Sequence, residues 1–130
     1  RLTSFTYDET GNLTRIDAPG SRWPEYEYDN AGWLIEARSS AGGKIAYQHD
    51  LLGNVTTAEF QTTGGASQAD FAYTYDELGR LRSLLGGASD SMLLAYDRSN
   101  RLTSETDGLG RTWLTAFDPL DRVISVTDPE

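Results

Sequence analysis

An aromatic residue followed by aspartate returns along this chain at nearly constant spacing, each time followed by a turn and then an apolar residue. The copies read FTYDETGNLTRI (from Phe5), YEYDNAGWLIEA (from Tyr26), YQHDLLGNVTTA (from Tyr47), YTYDELGRLRSL (from Tyr73), LAYDRSNRLTSE (from Leu94) and TAFDPLDRVISV (from Thr115). In the third copy a histidine, His49, stands in the aromatic slot. The aspartates fall at Asp8, Asp29, Asp50, Asp76, Asp97 and Asp118, at intervals of 21, 21, 26, 21 and 21 residues. A fixed period of this size is the signature of a repeat architecture. Six copies in 130 residues leave almost no room for a separate catalytic domain, so residues 1–130 read as a single array.

One copy shows what a repeat builds. In YTYDELGRL, Tyr73 and Tyr75 lie two apart and share one face of a strand. Asp76 opens a turn in which its carboxylate accepts from a backbone N–H two residues on. Glu77 and Leu78 take the right-handed corners. Gly79 takes the left-handed position that closes a three-residue hairpin loop with a bulge. The same assignment puts turns at 8–11, 29–32, 50–53, 76–79, 97–100 and 118–121. Their left-handed position holds Gly11, Gly32, Gly53 and Gly79, then Asn100 and Asp121. Asn and Asp are the non-glycine residues that best tolerate positive φ. Pro119 sits at a first corner, where a type I turn favours proline. On this reading Asn100→Gly is neutral or mildly stabilising, since glycine is what the position prefers.

A second, looser turn is expected about midway between hairpins, at Gly20, Gly42-Gly43, Gly64-Gly65, Gly86-Gly87, and Gly108 with Gly110. Two turns per repeat give two antiparallel strands per repeat, hence about a dozen short strands. The five extra residues of the long interval are placed in the loop QTTGGASQ (from Gln61), because insertions settle at exposed tips. An isolated hairpin is marginal in water, so neighbours must cover each other's apolar faces. The expected fold is all-β: repeated antiparallel β-hairpins of period 21 in a curved, spiralling sheet. Its aromatic stripe comprises Phe5, Tyr7, Tyr26, Tyr28, Tyr47, His49, Tyr73, Tyr75, Tyr96 and Phe117.

Composition narrows the function classes. The net charge of −9, with acids spread along the chain, repels phosphate backbones and argues against nucleic acid as a partner. No apolar run approaches membrane-spanning length and the first residues lack a signal-peptide profile, so membrane insertion is not expected. With one histidine and no cysteine, zinc is disfavoured. DGLGRT (from Asp107) lacks the alternating ligand ladder of a calcium loop, so neither metal nor cofactor is expected. The six repeat aspartates already have a structural task, and His49 reads as a packed ring rather than a base. No catalytic residue is assigned. Asn12-Leu13-Thr14 and Asn54-Val55-Thr56 match glycosylation sequons, but repeat structure accounts for both. Trp23, Trp33 and Trp113 lie outside the stripe. They are the candidate ligand surface, since indoles beside acids commonly bind sugars; packing between adjacent hairpins is the plainer account.

These strings resemble YD repeats, also called RHS repeats, most closely in YTYDELGRL and YDETGNLTRI, and the resemblance covers nearly the whole chain. That family occurs in bacterial polymorphic toxins, shell subunits of insecticidal toxin complexes, wall-associated proteins and teneurins. The resemblance implies a spiralling β-sheet shell enclosing a C-terminal toxin or effector domain, in a parent that is secreted, injected or displayed on the cell surface. Its implied partners are the other repeats and the enclosed domain. The alternative is a wall-associated or teneurin-like module binding cell-surface glycan or protein. The opening Arg-Leu-Thr-Ser matches Arg101-Leu102-Thr103-Ser104, and Thr127-Asp128-Pro129 is in phase with Thr106-Asp107-Gly108. The chain therefore reads as a fragment of a longer array, with self-association through open sheet edges expected.

Overall fold

A computed structural model describes residues 2–20, 23–87 and 90–129; Arg1 of the opening string and the terminal Glu130 lie outside them. Twelve strands occur among the described residues: β1 (Ser4–Tyr7), β2 (Leu13–Asp17), β3 (Pro24–Tyr28), β4 (Leu34–Ser39), β5 (Lys44–His49), β6 (Val55–Gln61), β7 (Ser67–Tyr75), β8 (Leu81–Leu85), β9 (Met92–Tyr96), β10 (Leu102–Asp107), β11 (Thr112–Phe117) and β12 (Val123–Thr127). The described residues contain no helix, and the all-β, antiparallel hairpin fold is the one the period implies. The chain divides into two compact units, Arg1–Asp70 and Phe71–Glu130, with the division inside β7. Within each unit, hydrogen-bonded neighbours follow chain order.

The hairpins share one register. In the first unit Tyr7 faces Leu13, Tyr28 faces Leu34 and His49 faces Val55. In the second, Tyr75 faces Leu81, Tyr96 faces Leu102 and Phe117 faces Val123. The residue before each turn aspartate thus always meets the apolar residue five positions after that aspartate. The ladder shifts beside this pair in every hairpin, the bulge that follows a three-residue loop. One added or lost residue would turn the whole apolar set to the other face, so bulge and turn together hold the register.

Two expectations about the second turn are corrected. It is not looser. At Ser39–Gly43, Thr62–Ala66 and Asp107–Arg111 the backbone makes the same paired bonds as the aspartate turns: Gly42, Gly65 and Gly110 donate to Ser39, Thr62 and Asp107, at 2.9, 2.9 and 3.0 Å. The turn after Gly86-Gly87 differs, with Asp90 donating to the Gly87 carbonyl at 2.9 Å. Nor does the long interval expand its loop. Thr62–Ala66 is as tight as the others, and the extra length goes into the strands, seven residues in β6 and nine in β7. Extending strands adds ladder bonds, whereas a floppy tip adds only loop-closure entropy.

Burial is shallow. Among the described residues only Ala58 and Ser83 are buried, and no large side chain is fully so. Cohesion therefore rests on half-buried contacts between neighbouring hairpins, as expected where each repeat touches only the next.

Candidate functional site

The most regular chemistry of the chain is the row of aspartate turns. At Asp76 one carboxylate oxygen accepts from the N–H of Leu78 (2.9 Å) and of Arg80 (3.0 Å), while the other accepts from Arg80 Nε at 2.7 Å. Asp97 repeats this with Ser99 and Arg101, and Asp118 with Leu120 and Arg122. At Asp8 and Asp50 the side-chain donor is neutral: Asn12 Nδ2 at 3.0 Å and Asn54 Nδ2 at 2.9 Å. At Asp29 the bonds come from the N–H groups of Ala31 and Trp33. Asp107 forms the same device with Leu109 and Arg111, although its sequence context differs from the six copies.

Such bonds favour the ionised carboxylate. The Thr10 hydroxyl, helped by Asn12, holds Asp8 down to about 2 despite some desolvation. Asn54 lowers Asp50; the Arg80 and Arg101 guanidinium groups lower Asp76 and Asp97. The backbone N–H and then the guanidinium of Arg122 lower Asp118. At Asp107 desolvation pushes upward, but the Arg111 bonds outweigh it. A carboxylate held this firmly ionised is a poor general acid, and its lone pairs are already spent on the turn.

The left-handed positions are placed at positive φ: 92° at Gly11, 83° at Gly32, 87° at Gly53, 73° at Gly79, 65° at Asn100 and 63° at Asp121. Sequence reasoning missed what binds these positions to their neighbours. In the second unit the arginine four after a turn aspartate leans onto the following turn. Arg80 donates from one terminal guanidinium nitrogen to the Asp97 carbonyl (3.3 Å) and to Asn100 Oδ1 (2.7 Å). Arg101 does the same to the Asp118 carbonyl (2.9 Å) and Asp121 Oδ1 (2.7 Å). The signal was present in the sequence, since Arg80, Arg101 and Arg122 stand in phase.

The aromatic stripe supplies the second set of ties. The hydroxyl of Tyr28 donates to the Leu13 carbonyl at 2.9 Å, and that of Tyr96 to the Leu81 carbonyl at 3.0 Å, each reaching back to the preceding hairpin. Arg80 lies 4.6 Å over the Tyr96 ring and Arg101 4.7 Å over Phe117, so the guanidinium groups that link turns also cover the aromatics before them. His49 packs at 5.6 Å against Trp33. Tyr26, Tyr47, Tyr73 and Tyr75 are half-buried, whereas Phe5 and Tyr7 on β1 are exposed. The three tryptophans are half-buried and apart from one another in sequence. Trp33 covers Gly53, Trp113 lies under Arg111, and Trp23 lies under Arg15 at 4.3 Å. Trp23 also lines an open groove of about 480 Å³ with Pro24, Ser39, Ser40 and Ala41. The sequon amides of Asn12 and Asn54 are engaged inside their own turns.

A turn-locked array of antiparallel hairpins defines a β-repeat protein. The RHS Repeat family matches residues 7–45 and 96–130, and the chain belongs to that family. It is 32% identical over 78 residues to the double-stranded DNA deaminase toxin A of Burkholderia cenocepacia, a match covering 60% of this chain and 5% of that protein. Its fold is shared with a crystal structure of TcdB2-TccC3-Cdc42 (TM-score 0.82, 15% identity, 95% of this chain and 7% of that one). It is shared also with the Tc holotoxin pore of Photorhabdus luminescens (TM-score 0.79, 14% identity, 95% of this chain and 8% of that one). The chain thus spans only a small part of each of these proteins.

Proposed function

We propose that this chain is a non-catalytic structural segment, one stretch of a longer repeat array walling a β-sheet cocoon around a toxin or effector domain in a larger secreted or injected bacterial protein. The observation that carries this reading is where the polar chemistry goes. Turn aspartates are consumed by backbone N–H groups and by the residue four positions on, and aromatics of the stripe are consumed by neighbouring hairpins. The names of the related proteins, a deaminase toxin and Tc toxin components, support a toxin setting. The test is made in the full-length parent. Deleting two whole repeats keeps the β fold, because stability in such arrays is mainly nearest-neighbour, yet opens the enclosure. The C-terminal domain then becomes protease-sensitive. If it stays equally protected, the cocoon reading fails.

A second reading, a glycan- or protein-binding module of a cell-surface protein, is favoured by one feature: Trp23 borders an open groove beside two serines. A glycan-array screen that finds a ligand lost in Trp23→Ala would move this reading ahead.

A further inference from the structure

We infer that neighbouring hairpins 21 residues apart within a unit recognise one another through a two-residue contact: the residue four after a turn aspartate, and the residue in the left-handed position of the next turn, twenty places further on. The chain sets such a pair side by side four times, twice as a hydrogen bond and twice as a side chain lying over a glycine. Arg80 meets Asn100 and Arg101 meets Asp121, in both cases a guanidinium donating to a side-chain Oδ1 at 2.7 Å. Trp33 meets Gly53, where a Cβ would lie 2.9 Å from Cε2 of the indole ring. Asn12 meets Gly32, where a Cβ would lie 3.9 Å from the Asn12 Oδ1, an ordinary contact.

The two members of each pair are chemically matched. Arginine stands opposite an acceptor, and a flat indole stands opposite the one residue without a side chain. Asn and Asp accept the left-handed conformation better than other side-chain-bearing residues. They are also the residues whose short carboxamide or carboxylate reaches the guanidinium from that backbone. An arginine-bearing turn therefore selects a following hairpin with Asn or Asp in the left-handed position, and a tryptophan-bearing turn selects one with glycine. Glycine and asparagine are not interchangeable there, although φ alone would allow both.

Arg122 supplies an internal control. Its bonds to Asp118 reproduce those of Arg80 to Asp76, but its side chain is 73% exposed, against 23% for Arg80 and for Arg101. Replacing it removes only the within-turn part of the interaction.

The pairing is tested by urea unfolding of the full chain. Gly32→Asn and Gly53→Asn place the same residue at nearly the same φ, 83° and 87°. The first leaves the urea midpoint within error of the parent; the second lowers it clearly, and Trp33→Arg restores it in the Gly53→Asn background. Arg80→Lys and Asn100→Gly each lower the midpoint, and the double variant falls no further than the worse single, whereas Arg80→Lys combined with Asp121→Gly is additive. Asp121→Asn keeps the midpoint because the amide oxygen still accepts, and Arg122→Lys shifts it less than Arg80→Lys. The inference is overturned if Gly53→Asn is as benign as Gly32→Asn, or if Arg80→Lys and Asn100→Gly add in full. Should Gly53→Asn fail to fold, the Arg80/Asn100 cycle decides alone.

Discussion

The two units build the same turn with different chemistry. In the first, the left-handed positions at Gly11, Gly32 and Gly53 are all glycine, and the residues leaning over Gly32 and Gly53 are neutral, Asn12 and Trp33. In the second, Gly79 opens the row, but Asn100 and Asp121 then carry the positive φ with side chains that arginines bind. The first unit puts its ion pairs on the strands instead. Arg15 bridges Asp17 and Glu25, while Arg38 and Lys44 converge on Glu36, whose tendency to be neutralised by burial is outweighed by those two cations. A repeat backbone thus fixes where a link must fall but leaves its chemistry free, provided both partners change together.

The sharpest way to break the comparison is steric. Gly79 has φ 73° and nothing within 4 Å of an added Cβ, so Gly79→Val meets backbone strain alone and costs on the order of 1–3 kcal/mol. Gly53→Val meets similar strain plus the Trp33 ring, and overpacking adds roughly 1–3 kcal/mol more. Chemical denaturation of both variants should rank them in that order, with Gly53→Val the most damaging single change in the turn row. Equal losses would mean that the indole moves aside and that the first unit has no steric link.

A smaller effect is expected at Asn100. Judged by conformation alone, glycine there is neutral or better, but the Arg80 bond to Asn100 Oδ1 reverses that expectation. Hydrogen bonds to charged groups contribute about 1.5–3 kcal/mol, and solvent exposure of this one reduces the figure, so Asn100→Gly should lose about 1 kcal/mol. A stability equal to or above the parent would return the position to a purely conformational role.

These cases show what was legible. The hairpin period, the turn aspartates and the residues at positive φ were readable because each depends on local chemistry: an Asx bond two residues on, and the steric limits of φ. The facing pairs from Tyr7–Leu13 to Phe117–Val123 follow from the same turn. What escaped was non-local. Arg80 reaches Asn100 only because the sheet sets two turns side by side, and a single copy of the repeat contains no hint of that partner. The second turn was misjudged as loose since Ser39-Ser40-Ala41-Gly42 lacks the aspartate, yet its backbone closes identically through Gly42. Insertion into strands rather than the loop escaped for a similar reason, because neighbouring strands, not the tip, decide where length is useful.

The finest distinction between the units is electrostatic, and amide exchange measured against pH and salt reads it. Each shifted turn aspartate has its folded pKa below the ordinary 3.8, so the stability it contributes is complete above that value and fades as pH falls through the folded pKa. Protection of the Thr10 and Asn12 amides should therefore weaken progressively as pH falls below 3.8, with the Asp8 contribution gone once pH is below its value of about 2. Salt separates the two chemistries at neutral pH. At about 1 M ionic strength the Debye length is roughly 3 Å, which weakens partly exposed ion pairs and hardly touches bonds between a carboxylate and neutral donors. Exchange at Ser99 and Arg101, whose turn is closed by an arginine, should accelerate with added salt. Exchange at Thr10 and Asn12 should stay nearly constant, because Asp8 is held by a hydroxyl, an amide and two N–H groups. Equal salt sensitivity in the two turns would mean that the arginines only cover the surface, and that the second unit is held, like the first, by its backbone.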